Sequence, residues 1–304
     1  MKKKLFATGM GGCVGHYLFD EFAKRGDLDL TFLLRSPQKV KYSLNGIDVI
    51  QDDLKNIEKY ASKLKEADLV VHLLADWGTE LGNYDQTKAL LGYLDPSKVK
   101  KIIYFSTASI LGRDNRPDKE ALLCGTPYIR GKYKMHEELS CSPLREKIIT
   151  LYPTWVLGGD HLHPYSHAYL ALRNSMTWLK LLSFFDLDLR FHFIHAKDIA
   201  GVTQHLLFNE TGENEFVLGT KEITVGKLLE GFAAASGFRP PFRIKLGSGI
   251  AKVLDAVFGG RLAPWDRHCL KTYHQNYRTV EPSSFGLETS FPSIESIVKD
   301  LLKS

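Results

Sequence analysis

The sequence predicts an α/β protein, a doubly wound parallel sheet joined to a smaller, discontinuous lobe. Three observations predict it. A glycine-rich turn separates an apolar run from a helical pattern at the start of the chain. Apolar runs then alternate with helical patterns as far as Pro153. Beyond Pro153 the alternation loosens and returns only briefly. Short apolar runs alternating with helical stretches mark βαβ units, whose strands lie parallel and are covered on both faces.

The first strand is predicted over Leu5–Thr8. Glycines follow at positions 9, 12 and 15, and Tyr17–Arg25 has helical spacing. Strand, tight turn and helix N-terminus in that order receive a dinucleotide pyrophosphate. The glycines let the backbone turn sharply, approach the phosphates and pack the helix on the strand. Further strands are predicted over Leu30–Leu34, Val49–Ile50, Leu69–Leu74, Ile102–Ser106 and Ile148–Tyr152, with helices over Ile57–Lys65 and Thr87–Leu94. In such a sheet a ligand lies beyond the carboxyl ends of the strands, where Gly9, Arg35, Ala75, Ser106 and Thr107 fall. Residues 1–156 and 191–219 are therefore assigned to a dinucleotide-binding domain. Residues 157–190 and 220–304 are assigned to a substrate-binding lobe.

Composition narrows the function classes. The chain has 304 residues, 44% hydrophobic and 25% charged, as in ordinary globular proteins. Its net charge of +5 is dispersed, and the one basic run, Lys2-Lys3-Lys4, precedes a strand, so nucleic-acid binding is not expected. Four cysteines (Cys13, Cys124, Cys141, Cys269) show no paired spacing and suit a reducing compartment. There is no signal-like apolar stretch behind the N-terminal charges, and the greasiest region, Met176–Ile194, is interrupted by charges. A cytoplasmic protein without an integral membrane segment is expected. His161, His163 and His167 lack the flanking Cys or Glu of familiar metal sites, so no metal is expected there.

Tyr128 and Lys132 stand four residues apart, one helical turn, on a common face. A phenol titrates near 10, and a neighbouring ammonium favours the phenolate, making the pair a candidate general acid/base. Ser106-Thr107, upstream at a strand end, offers hydroxyls that could polarise a substrate oxygen at the same sheet edge.

Together, Thr8-Gly9-x-x-Gly12-x-x-Gly15, Ser106-Thr107-Ala108-Ser109-Ile110-Leu111-Gly112 and Tyr128-x-x-x-Lys132 resemble the extended short-chain dehydrogenase/reductase superfamily, and within it the NAD-dependent epimerase/dehydratase family. The likeness continues through Asp53-Leu54, Val71–Ala75, Asn83-x-x-x-Thr87, Phe193–Ile199 and Gly286–Glu295. It implies a Rossmann fold. It also implies that Thr107, Tyr128 and Lys132 are catalytic: Tyr128 moves the substrate hydroxyl proton, Lys132 holds the nicotinamide ribose and lowers the tyrosine pKa, and Thr107 takes the Ser/Thr position. The implied cofactor contacts are Thr8, Gly9, Gly12, Cys13, Val14, Gly15, Asp53 and Leu54 at the adenine, Leu74, Ala75, Asn83, Ser106, Tyr128 and Lys132, with Pro153 and Thr154 flanking the nicotinamide.

Arg35, at the end of the second strand, offers a guanidinium fork to a 2′-phosphate where a carboxylate would favour NAD. Lys39 adds an ammonium close by, so NADP is expected over NAD. Two departures bear on substrate. Phe191 and His192 stand nearest the position where sugar-nucleotide relatives carry a diphosphate-binding arginine, with Arg190 displaced. Tyr152-Pro153 replaces the family's Arg-Pro. The apolar stretch Trp178, Leu179, Leu181, Leu182, Phe184 and Phe185 suggests a core face or a homodimer seam. The sequence thus points to an NADP-dependent oxidoreductase acting on a small carbonyl or alcohol. A nucleotide-sugar epimerase/dehydratase is the alternative, and a non-catalytic NADP-binding assembly or regulatory protein is a third reading that the retained Thr107, Tyr128 and Lys132 oppose.

Overall fold

The structure, a computed structural model, describes residues 2–76, 78–174, 181–235, 237–246, 263–272 and 275–303. Seven strands form the main sheet: β1 (Lys3–Thr8), β2 (Leu28–Leu34), β3 (Asp48–Gln51), β4 (Leu69–His72), β5 (Lys101–Phe105), β6 (Ile148–Pro153) and β11 (Glu215–Leu218). Their spatial order is β11-β6-β5-β4-β1-β2-β3, and every pairing is parallel. The order reverses direction between β1 and β4. That is the crevice where doubly wound sheets bind ligands.

Strand side chains alternate between two cores. Leu5, Ala7, Phe32, Leu34, Val71 and Ile103 face helix α1 (Cys13–Ala23) and a later helix at Ala196–Phe208, which contribute Leu18, Phe22, Ile199 and Leu206. Phe6, Leu33, Ile50, Val70, Ile102 and Tyr104 face the other layer, where α3 (Glu80–Gly92) and α5 (Pro127–Ser140) supply Leu90, Met135 and Leu139. Burial on both faces makes these strands read as continuous apolar runs in the sequence.

Local boundaries differ from expectation at several elements, among them β4, the segment after β3 and helix α3. The run Leu69–Leu74 ends as a strand at His72, where Gly9 closely approaches the backbone of residues 73 and 74. The segment expected to be helical over Ile57–Lys65 is a 3₁₀ stretch, Leu54–Tyr60, broken at Asn56, followed by the short α2 (Ala61–Lys65). The helix expected from Thr87 begins at Glu80, where Thr79 caps it by accepting from Gly82 N–H at 3.0 Å.

The remainder is assembled from short pairs: β7 (Trp155–Leu157) with β10 (Phe193–His195), β8 (Phe185–Leu187) with β13 (Ile244–Leu246), and β9 (Arg190–Phe191) with β12 (Ile223–Thr224). A separate core of Leu157, Tyr169, Phe191, Phe193, Leu228, Phe232, Ile297 and Val298 holds this part together. Of the apolar stretch, Trp178 and Leu179 lie outside the described residues. Leu181 and Leu182 are exposed, and Phe184 packs against the rings of Phe238 and Phe242. Among the described residues no helix is long and apolar enough to cross a membrane.

Candidate active site

The site begins at the carboxyl end of β1. Gly9 has φ +78°, a conformation that favours glycine, and a Cβ there would lie 2.8 Å from the backbone of residues 73 and 74. At Gly15 a Cβ would lie 2.5 Å from Met10 Cα, so only glycine lets α1 seat on the turn. Gly12 N–H donates to Gly9 O at 3.1 Å and closes the loop, and Gly12 then stands as the N-cap of α1 with no side chain to cap it. The amides of Cys13, Val14 and Gly15 have no intrahelical acceptors, and no acidic residue occupies the first turn. Such a cradle suits a pyrophosphate. Burial and nearby Asp160 push the Cys13 thiol up to about 12, so it is neutral.

Thr8 is buried and its hydroxyl bonds His72 Nδ1 at 2.7 Å, while His72 Nε2 bonds the Thr87 hydroxyl at 2.9 Å. Burial, aided by the charge of Lys132, drives the His72 pKa down to about 3, so the ring is a neutral bridge between β1, β4 and α3. The Thr8 side chain is thereby committed to the core and leaves only its backbone for a ligand. Leu54, expected at the adenine, is likewise a core residue at 1% exposure. Asn83 spends its amide on the loop before α3, accepting from Asp76 N–H at 3.0 Å and donating to Thr79 O at 2.9 Å.

At the outer edge of the crevice Arg35 is largely exposed, and its Nη1 lies 3.9 Å from Asp53 Oδ2. Lys39 ends a single 3₁₀ turn, Pro37–Lys39, just after β2. Asp53 also caps the next segment, accepting from Lys55 N–H at 3.0 Å.

The catalytic candidates converge at the ends of β4 and β5. Helix α5 is capped by Thr126 and opens with Pro127, which fixes Tyr128 in its first turn. Gly131 allows α5 to lie against α3: a Cβ there would be 2.7 Å from Glu80 O and 2.9 Å from Asn83 Cβ. Tyr128 is buried and shares a side-chain hydrogen bond with Thr107. Thr107 is held in turn by Ser109, whose N–H donates to Thr107 Oγ1 at 3.3 Å. Lys132 is 1% exposed, and its Nζ donates to Phe105 O at 2.7 Å and lies 3.4 Å from Leu74 O. It sits over the rings of Tyr104 (4.7 Å) and Tyr128 (5.9 Å). Ser106 Oγ is buried and has no hydrogen-bond partner among the described residues.

The electrostatics correct one expectation. Burial pushes the Tyr128 pKa up to about 12, and the bond to Thr107 only partly opposes it. Burial also lowers Lys132 to about 7. The lysine does not lower the tyrosine in this arrangement, because it is itself desolvated and its protons are directed at backbone carbonyls. Tyr128 is therefore a protonated phenol at neutral pH, suited to donating a proton.

Thr154, just after β6, donates both its N–H and its hydroxyl to Leu218 O at 3.0 and 2.8 Å, while Pro153 pairs with Leu218 in the β6–β11 register. A small cleft is lined by Ser109, Leu111, Asp118, Trp265, His268 and Tyr277, of which Leu111, Trp265 and Tyr277 also belong to the apolar cluster that holds Tyr128. Phe191 is buried in the smaller core and His192 is fully engaged: Tyr277 N–H donates to its Nε2 at 3.0 Å, so Nδ1 donates to Thr220 O at 2.7 Å. Arg190 is paired with Asp188 at 3.0 Å and Glu222 at 2.9 Å.

Sequence reasoning missed Asp160. It accepts from Leu162 N–H and His163 N–H and meets the His163 ring, while His163 Nε2 reaches Asp20 at 2.8 Å and stacks on Tyr17 at 3.8 Å. Gly158 and Gly159, at φ +145° and +121°, allow the turn that brings this loop onto α1, and Gly-Gly after a strand was its only signal. Of the three histidines considered for metal, His163 is thus held between carboxylates of the loop and α1.

The chain matches the model of the NAD(P)H-binding family over residues 9–161, half its length. No curated protein sequence matches it. Among solved structures it is similar to gox2253, with 20% identity, 99% of this chain and 97% of that chain covered, and a TM-score of 0.74. It is also similar to the UDP-glucose 4-epimerase of Thermus thermophilus in complex with NAD (17% identity, 98% and 97% covered, TM-score 0.67). A third is WbmG of Bordetella bronchiseptica in complex with NAD (15% identity, 99% and 94% covered, TM-score 0.68). With its glycine cradle, strand order and family match, the chain belongs to the NAD(P)H-binding family and has the fold of the extended short-chain dehydrogenases/reductases.

Proposed function

We propose that the protein is an NADP-dependent oxidoreductase that reduces an uncharged carbonyl compound, with residues 157–190 and 220–304 as its substrate lobe. The observation that carries this reading is the hydrogen-bonded pair Tyr128–Thr107 above a buried Lys132, at the sheet edge next to the glycine cradle. A nicotinamide cofactor held there supplies the hydride. Tyr128, protonated at neutral pH, donates its proton to the substrate oxygen as negative charge develops on it. The Thr107 hydroxyl, which donates to Ser109 Oγ at 3.2 Å in the structure, turns to donate a second hydrogen bond to that oxygen, so the charge is met by two donors. Lys132 positions the nicotinamide ribose, and the first turn of α1 receives the pyrophosphate. Arg35 and Lys39 receive the 2′-phosphate.

The preference for an uncharged substrate rests on the expected diphosphate site. Both nitrogens of His192 are used and Arg190 is neutralised by two carboxylates, whereas a diphosphate removed from water needs paired donors. Leu111, Trp265 and Tyr277 give the neighbouring cleft an apolar and aromatic wall. A second reading, a nucleotide-sugar epimerase or dehydratase, is favoured by the similar structures, several of which are epimerases of UDP sugars. Thermal-shift screening of the NADP complex against both chemical classes separates the two, because a ligand that binds only the folded state raises its melting temperature. Stabilisation by carbonyl compounds, with net NADPH consumption, is expected. Stabilisation by UDP sugars alone, without net consumption, would overturn the reading.

A further inference from the structure

We propose that Glu120, Cys124 and His268 form a binding site for a thiophilic divalent cation, with zinc the ion their chemistry fits best. Glu120 and Cys124 are four residues apart on α4 (Lys119–Leu123) and its C-cap, so both donors lie on one face. His268 arrives from a distant part of the chain, on the helix Pro264–Thr272. One donor atom from each lies within 4.8 Å of the others, and Cys124 Sγ is 3.7 Å from Glu120 Oε2.

A tetrahedral zinc with bonds of about 2.0–2.3 Å holds its donors roughly 3.3–3.8 Å apart. Closing the triad thus takes a contraction of about 1 Å, within the rotamer freedom of side chains that are exposed or half-buried. The Asp118 carboxylate is 3.4 Å from His268 Nε2, placed to complete the donor set or to orient the imidazole, and Trp265 stacks on that ring at 5.2 Å. Donor type decides the ion. Magnesium and calcium take oxygen ligands, whereas one sulfur, one nitrogen and one carboxylate together select zinc or cobalt. Binding requires the thiolate, so the Cys124 thiol releases its proton to solvent as the metal–sulfur bond forms.

The site has a structural consequence. Cys124 lies four residues before Tyr128, and the helix bearing His268 forms one wall of the cleft. An ion there ties that wall to the helix entry that places the phenol. In the sequence the only sign of it is the Glu-x-x-x-Cys spacing, since the histidine is recruited by the fold.

The test uses the full chain, stripped with a chelator and titrated with Co²⁺ as a spectroscopic probe and with Zn²⁺ by competition. One Co²⁺ per chain is expected, with the visible absorption of tetrahedral cobalt and a near-ultraviolet thiolate band. Cys124→Ser should abolish that band. His268→Gln and the more exposed Glu120→Gln should each weaken Zn²⁺ binding tenfold or more, while metal-free melting temperatures, read alongside, establish that the variants fold. Cobalt binding without a thiolate band, a band that persists in Cys124→Ser, less than one equivalent bound, or Zn²⁺ affinity unchanged in Glu120→Gln would each overturn the proposal.

Discussion

The ammonium of Lys132 donates to the carbonyl oxygen of Phe105 at 2.7 Å, in a position where the residue is 1% exposed. This bond fastens α5 to the end of β5 and places Tyr128 beside Thr107. It also leaves a cation in the interior, and burial lowers its pKa from 10.5 to about 7.

That shift makes stability depend on pH. Between pH 7 and 10.5 the unfolded chain keeps a proton on Lys132 that the folded chain has released, so this group makes the fold more stable as pH rises through that window. Urea unfolding at pH 7 and pH 9 should show an increase of up to about 2 kcal/mol from this residue. In Lys132→Met, similar in length but uncharged, the increase should shrink. Identical increases in the two proteins would contradict the assignment.

The glycine cradle should tolerate no side chain at its tightest point. In Gly15→Ala the new methyl would meet Met10 Cα at 2.5 Å, a backbone clash that cannot be relieved by a rotamer change. A loss of about 1–3 kcal/mol of stability is expected from overpacking, together with weaker NADP(H) binding as α1 is pushed from the turn. Calorimetry and fluorescence titration of the variant check both effects. Full cofactor affinity in a folded Gly15→Ala protein would remove the cradle from the binding site.

Cofactor choice should turn on Arg35. Its guanidinium is largely exposed and only 3.9 Å from Asp53, a weak pairing that leaves it available to a phosphate. A charge-assisted contact to a 2′-phosphate is worth about 1.5–3 kcal/mol, so NADPH should bind tenfold or more tightly than NADH. Arg35→Asp should narrow or reverse the difference. Equal titration affinities in the unmodified protein would refute the preference.

The sheet was legible because its strands are buried on both faces and so read as apolar runs, as in Ile102–Phe105. The convergence of Thr107, Tyr128 and Lys132 was legible because each lies at a strand end or within one helical turn of the others. What escaped the sequence depends on partners far apart in the chain. Asp160 meets Tyr17 across 143 positions, and Tyr277 meets His192 across 85. The side-chain partners of Thr8 and Asn83 escaped it for a related reason. Their types suit a ligand, but a buried hydroxyl or amide takes the nearest partner, and here His72 and the backbone of residues 76 and 79 come first.

The most direct test of the account is Tyr128→Phe, which removes one hydroxyl and leaves the ring that packs against Ala108 and Ile129. With a carbonyl substrate that the unmodified protein reduces, NADPH oxidation should fall by roughly 10²–10⁴-fold, the range for loss of a general acid, while NADPH affinity and melting temperature stay nearly unchanged. A Tyr128→Phe protein that oxidises NADPH at close to the unmodified rate would contradict the account.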